Sequence, residues 1–498
     1  MAALEKIEPK PVFYWFEQIC SIPHGSGNVK KISDFLVSFA GERGLKYIQD
    51  DALNVIIYAP ASEGCEDSSP LIIQGHMDMV CAKTDDCRID FLNDPIQPYI
   101  DGDWVTAEGT SLGGDDGIAV AIALAVLDDK TIAHPLLECV FTVNEETGMD
   151  GAQALDFRNL KGRRLLNLDS EAEGMIIAGC AGGVRADCSF PLVREEYDGI
   201  SCTLSIDGLK GGHSGEEIDK GRLNANKALG RILYTLNKNG LIKLASIEGG
   251  VVDNAIPVSA KAVFSASEED LAIIKSLILA IGDHMKNEYA SSDPGLRVLF
   301  EIGNREICEV AGKGSADALL FALFNLPNGV RAMSPDIKGL VQTSLNLGVI
   351  KSYEDRMVYT YSIRSSLASQ KQLLCDELVS LTEFAGGTVS FRNPYPAWEF
   401  KRESAFRDTV AACCRRIYGK DPLITAIHGG LECGLFSEKA PDLDCVSLGP
   451  SMEGIHTPAE RLNISSVQRI WTLVLDILKS CVEFPDKRPR LFVEKADK

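Results

Sequence analysis

Long apolar runs are missing from this chain of 498 residues, and none has the length that a membrane-spanning helix needs. Positive charge is also in deficit. Lys and Arg total 50 against 71 Asp and Glu, a formal net charge of −21. That balance excludes nucleic acid and anionic membranes as natural partners and favours solubility. Repeated C-x-x-C pairs are lacking. The 15 cysteines are scattered, odd in number, and include the adjacent pair Cys413-Cys414. They read as reduced thiols packed as small apolar groups rather than as a disulfide framework. The opening Met1-Ala-Ala-Leu-Glu-Lys6 has neither the basic nor the apolar region of a signal peptide, so a cytoplasmic location is expected. Histidine is scarce too, at seven residues.

What is present is an ordinary soluble composition, 45% apolar and 24% charged, in a chain too long for one core. Its centre of organisation is Leu71-Ile-Ile-Gln-Gly-His-Met-Asp-Met-Val80. Leu71 to Ile73 predict a buried strand of a parallel sheet. Gly75 then allows a sharp turn. His76 and Asp78 follow at i and i+2, on one side of an extended chain and at the carboxyl end of the strand. Alone, such a pair is more often a satisfied hydrogen-bonded couple than a metal site.

Strands, glycine turns and helices alternate through residue 184. The apolar stretches at Leu136–Val143 and Leu165–Leu168 predict core strands, and Ile118 to Leu127 predicts a buried helix. Beyond Val184 the pattern changes to alternating strands with helices between them, in an order that recurs once and hints at a duplicated α+β unit. The first texture returns near Glu399. The expectation is a doubly wound α/β catalytic domain made of residues 1–184 and 395–498, interrupted by an α+β insertion at 185–394.

Chemistry-bearing residues gather at the strand and loop ends. Glycines flank Asp115 in Glu108-Gly-Thr-Ser-Leu-Gly-Gly-Asp-Asp-Gly117, so one short carboxylate could reach two cations. Glu145 and Glu146 are adjacent, which lets one bind a metal while its neighbour stays free as a base. Asp169 ends the next strand, and His456 returns from the far end in Gly454-Ile-His-Thr-Pro-Ala-Glu-Arg461. Each has a bland reading as a cap, a turn or a solvated pair. Together they form the donor set of a two-metal hydrolase: imidazoles, terminal carboxylates and one bridging carboxylate. His24, His134 and His284 read as structural or surface residues.

These motifs, with Asn144-Glu-Glu-Thr-Gly148, Leu166-Asn-Leu-Asp-Ser-Glu171, Gly208-Leu-Lys-Gly-Gly-His-Ser-Gly215, Asp253-Asn-Ala-Ile-Pro257 and His428-Gly-Gly-Leu-Glu-Cys-Gly434, resemble the aminoacyl-histidine dipeptidases. That family sits among the cocatalytic-zinc peptidases, with carboxypeptidases and aminoacylases. The resemblance runs from about residue 10 to 480. It implies a dipeptidase of broad specificity, Xaa-His included, with two Zn2+ per subunit, or Co2+ or Mn2+ in their place. It implies that His76 and Asp169 bind one ion, Glu146 and His456 the other, and that Asp115 bridges them. Glu145 would be the general base toward water and Asp78 would orient His76. In the insertion, which the resemblance makes a lid, His213 would stabilise the developing oxyanion. Asn254, Arg364 and a backbone N–H at Gly430 would contact a dipeptide substrate. A homodimer through the lid is a further expectation. Asp116 stands where many relatives carry Asn, and the resemblance gives His428 and Glu432 no role. A deacylase or carboxypeptidase on the same site is the alternative activity.

Overall fold

The computed structural model describes residues 3–483. The chain folds as two compact units. The first comprises Met1–Ala178, Phe400–Ala426 and Leu435–Lys498; the second comprises Gly179–Glu399 and Ile427–Gly434. The divisions expected at 184/185 and 394/395 therefore fall a few residues away. One short piece of the expected second catalytic segment, Ile427–Gly434, packs with the insertion instead. That piece contains the buried His428, whose ring is hydrogen-bonded to Ser344 of the insertion.

The first unit is built on an eight-stranded sheet in the order Lys46–Gln49, Val55–Ala59, Leu137–Thr142, Leu71–His76, Arg164–Asn167, Asp444–Ser447, Met175–Cys180 and Leu423–Ile427. The strand Leu71–His76 lies parallel to both Leu137–Thr142 and Arg164–Asn167, and the latter pairs in parallel with Asp444–Ser447. Register matters here. His76 is opposite Thr142, and Gln74 is opposite Asn167. Residues just past Thr142 and Asn167 thus emerge at the same sheet edge as His76. A buried ladder fixes this level: Gln74 donates to Thr142 Oγ1 at 3.2 Å, and Asn167 donates to Gln74 Oε1 at 2.6 Å.

The helix Gly114–Asp128 is buried along nearly all its length, as its run of Ala, Val, Ile and Leu requires. It packs on the amphipathic helix Lys10–Cys20, where Gly117 admits Phe16 and Ile19. Ile118, Val120, Ile122 and Leu124 are fully buried there, each worth about 1.5–3 kcal/mol of transfer free energy. Its first turn is irregular. Asp115 and Asp116 have non-helical backbone, so the acidic pair stands ahead of the regular helix.

The second unit carries a nine-stranded antiparallel sheet. Its main order is Arg297–Ala311, Arg194–Asp207, Ala260–Ala266, Lys243–Gly249, Val341–Ser352, Arg356–Ser365, Gly182–Pro191 and Thr388–Tyr395, with Gly329–Met333 beside Val341–Ser352. The order is symmetric about the Lys243–Gly249 and Val341–Ser352 pair. On each side the third strand outward is long and precedes the helices in the chain, and the edge strand follows a long helix, Leu271–Glu288 or Ala368–Phe384. This is the architecture a duplicated α+β unit would have. Arg297–Ala311 was not legible as a strand. It is an edge, mostly exposed, and its charged residues break the alternation.

Candidate metal centre and anion cluster

The expected ligands of the first unit converge. His76 Nε2 lies 3.1 Å from Asp115 Oδ1 and 3.5 Å from Asp169 Oδ1. His456 Nε2 lies 3.2 Å from Asp115 Oδ2 and 2.9 Å from Glu146 Oε1. One carboxylate therefore turns each of its oxygens toward a different imidazole, from residues 39 and 341 positions away in sequence. Three sets of donors lie close enough to share an ion: His76, Asp116 and Asp169; His76, Glu145 and Glu146; and Asp115, Glu146 and His456.

The surroundings hold these groups from behind. His76 Nδ1 meets the Asp78 carbonyl oxygen at 3.0 Å, closer than the Asp78 carboxylate at 3.6 Å. The Asp78 carboxylate instead accepts from Ser26 Oγ at 2.8 Å and from the Glu145 N–H at 3.0 Å. Asp78 thus touches both the ring of His76 and the backbone of the Glu145–Glu146 pair. Asp116 accepts from the His76 N–H at 3.2 Å and is fully buried. A side chain at Gly75 would collide with that carboxyl and with Ala119, which is why glycine stands there. Ser26 and Asp116 had no readable role in sequence, since a hydroxyl or acid turned toward backbone carries no motif of its own.

Protonation follows from crowding. Burial pushes Asp116 well up, and the charge of Asp169 adds to it. Burial also raises Asp169, to about 6. Hydrogen bonds to Asp115 and Glu146 raise His456 to about 11. Burial opposes a charge on His76, but Asp169 and the hydrogen bond to Asp115 outweigh it and raise its pKa well above the ordinary value. Without a cation, protonation is favoured on the two imidazoles and on the buried Asp116, while hydrogen bonds from the imidazoles outweigh burial and hold Asp115 well below the ordinary carboxylate range. Imidazoles and carboxylates at contact distance, with excess negative charge, are the donor chemistry that zinc, cobalt and manganese accept. The residues fit two metal ions.

The second unit gathers a different set. His213 lies in a two-residue strand paired with Ala255–Ile256, and Ser214 N–H donates to Asn254 O at 2.7 Å. Arg364 is buried, opposite Ser344 in the sheet, and donates to the Tyr395 hydroxyl at 3.3 Å. His428 Nε2 lies 2.7 Å from Ser344 Oγ. A Cβ placed on Gly215 would sit 3.0 Å from His213 Cε1, 3.1 Å from His428 O and 3.3 Å from Arg364 Cζ, so all three border one point. Burial lowers the pKa of His213, and the Arg364 charge lowers it further. The same two causes bring His428 down to about 4. Gly430 is two residues along from His428, and Glu432 is fully buried.

Residues 72–480 match the profile of Peptidase family M20/M25/M40. The chain belongs to that family. The cytosol non-specific dipeptidase of Escherichia coli strain K12 is 40% identical over 489 residues, which cover 98% of this chain and all of that protein. The aminoacylhistidine dipeptidase of Vibrio alginolyticus superposes with a TM-score of 0.91 at 38% identity, over 96% of this chain and 98% of that one. A tripeptidase from Staphylococcus aureus, at 16% identity and a TM-score of 0.55, shares the fold. The M20 fold thus accounts for both units of this chain. Among the described residues no helix is long and apolar enough to cross a membrane.

Proposed function

We propose that this M20 peptidase hydrolyses the peptide bond of unblocked dipeptides with broad specificity, Xaa-His included, using two zinc ions. The observation that carries the reading is the divided carboxylate of Asp115, with one oxygen facing His76 and the other His456. His76 and Asp169 would hold one ion, Glu146 and His456 the second, and Asp115 both. Bound zinc would supply Lewis acidity at the scissile carbonyl and at water.

The protein's own groups do the rest. Glu145 takes the proton of the attacking water and returns it to the leaving amine. Asp78 holds the backbone of that glutamate and the ring of His76 in place. In the second unit, burial and the Arg364 charge favour the neutral form of His213, which donates to the oxygen on which charge develops. Arg364 offers a planar pair of N–H groups to the terminal carboxylate, a recognition that needs a guanidinium rather than a point charge. Asn254 and the N–H of Gly430 are assigned to the same end of the substrate. The E. coli relative's description as a cytosol enzyme and the acidic composition support a cytoplasmic location. A homodimer through the second unit completes the proposal and is checked by sedimentation.

The test is a substrate panel on zinc-loaded protein: free dipeptides including Xaa-His, C-terminally amidated dipeptides, tripeptides and N-acetyl amino acids. Free dipeptides are expected to be cleaved well and the others poorly. Preference for N-acetyl amino acids or for longer peptides would replace the dipeptidase reading with a deacylase or carboxypeptidase on the same centre.

A further inference from the structure

Glu460 lies in the motif that carries His456, next to its last residue, and the proposed reaction gives it no task. Its side chain is 2% exposed, in a place where a carboxylate is rarely left without reason. The reason is four backbone N–H groups. Oε2 accepts from Leu112 at 2.7 Å and Gly113 at 3.1 Å; Oε1 accepts from Gly114 at 2.7 Å and Asp115 at 3.3 Å. These successive amides form a concave anion site of backbone, and the protein fills it with its own carboxylate. Gly113 is left-handed, with φ +72, and a side chain on Gly114 would press on Glu460 Oε1. The glycines ahead of Asp115 thus serve this grip as well as the approach to a cation.

The other end of the grip is equally fixed. Thr457 N–H and Oγ1 both donate to Gly454 O, Ala459 N–H donates to Thr457 Oγ1, and Glu460 N–H donates to Thr457 O. Gly454 has φ +64, and a Cβ there would meet Ala459 O at 2.5 Å. His456 itself has φ +59, unusual for a residue with a side chain. Just past the turn, Arg461–Asn463 pairs with the strand Trp104–Ala107, and Thr106 Oγ1 donates to Glu460 O at 2.8 Å. His456 and Glu460 are therefore two points of one stiff turn.

We infer that Glu460 is a positioning residue: it locks the turn bearing His456 to the loop bearing Asp115, so that the shared carboxylate and the distal imidazole hold their spacing before a cation arrives. The inference rests on the two-cation reading of Asp115. Because Asp115 faces both imidazoles, loosening its loop weakens both ions, whereas removing His456 weakens one.

The experiment is calorimetric titration of metal-free, full-length protein with Zn2+ against a competing chelator, with circular dichroism and thermal unfolding of each metal-free variant. In Glu460→Gln one oxygen is replaced by an NH2 that points donors at donors. Zinc affinity is expected to drop about 10–100-fold at both ions, as for other groups that support metal ligands, with metal-free unfolding little changed. Glu460→Asp keeps both oxygens on a shorter stem and should recover part of the loss; His456→Ala should lose one ion. Glu453→Gln, at an exposed ion pair beside the turn, should match wild type. Two ions bound to Glu460→Gln at wild-type affinity would overturn the inference. Should Glu460→Gln fail to fold, Glu460→Asp decides: reduced affinity on an intact fold supports the lock, and wild-type affinity or a second failure to fold overturns it in favour of a purely structural role. Wild type that binds fewer than two ions would instead defeat the two-cation reading itself.

Discussion

The two units use the same side chain in opposite ways. In the first, His76 and His456 lie against carboxylates, and their pKa values are raised, that of His456 to about 11. In the second, His213 and His428 are desolvated beside Arg364, and theirs are lowered, that of His428 to about 4. An imidazole among carboxylates marks a place where positive charge is wanted, and a metal ion can replace the protons there. A neutral imidazole next to a buried guanidinium marks a place where an anion is wanted, or where negative charge develops during reaction. The contrast teaches that charge environment, more than residue type, decides which protonation state an imidazole favours.

The comparison can be broken most forcefully at Glu145. Glu145→Gln should lower kcat by roughly 10²–10⁴-fold while two zinc ions remain bound, measured by steady-state kinetics alongside elemental analysis. Unchanged kcat would remove Glu145 from the proton transfer. The next effect is on the anion side. Arg364→Ala should lower kcat/KM for free dipeptides by about 10–100-fold, as loss of a charged hydrogen-bonding partner does. It should hardly change the slow cleavage of amidated dipeptides. Equal losses on both would show that Arg364 does not read the carboxylate.

The smallest effect is on pH-dependent stability, and its sign differs between units. The folded pKa of His428 lies near 4, below the roughly 6.5 of an unfolded histidine. Its contribution to stability is whole above pH 6.5 and is lost as pH falls through 4, on the order of 1–3 kcal/mol. His428→Asn should therefore flatten the acid side of a denaturant-stability profile. For metal-free His456 the folded pKa is raised, so its contribution is present below pH 6.5 and fades as pH climbs through 11. An acid limb unaltered by His428→Asn would show that the imidazole is not held neutral.

How much of this was legible in sequence depends on where each residue's partners lie. His76, Asp115, Glu146, Asp169 and His456 could be picked out because donors at strand ends and in glycine turns have recognisable neighbours. The core strand Leu71–His76 and the buried helix after Asp115 announced themselves by composition. Glu460 did not, because its partners are backbone amides some 345 residues away, and backbone has no residue type. The same holds for Asp78. The i, i+2 spacing put it beside His76, but its carboxylate is spent on Ser26 and on the Glu145 N–H, while its own carbonyl meets the imidazole. The edge strand Arg297–Ala311 was hidden for another reason: solvent on its exposed side removes the pressure for alternation. The segment Ile427–Gly434 joins the second unit, where the Ala181 N–H donates to Ile427 O and His428 is bonded to Ser344, contacts that the chain order conceals.

The most direct measurement is an anomalous difference map at the zinc edge from crystals of the zinc-loaded protein. Two peaks about 3.5–4 Å apart are expected, one beside His76 and Asp169, the other beside Glu146 and His456, with Asp115 between them. A single peak, or two peaks that do not share Asp115, would contradict the account.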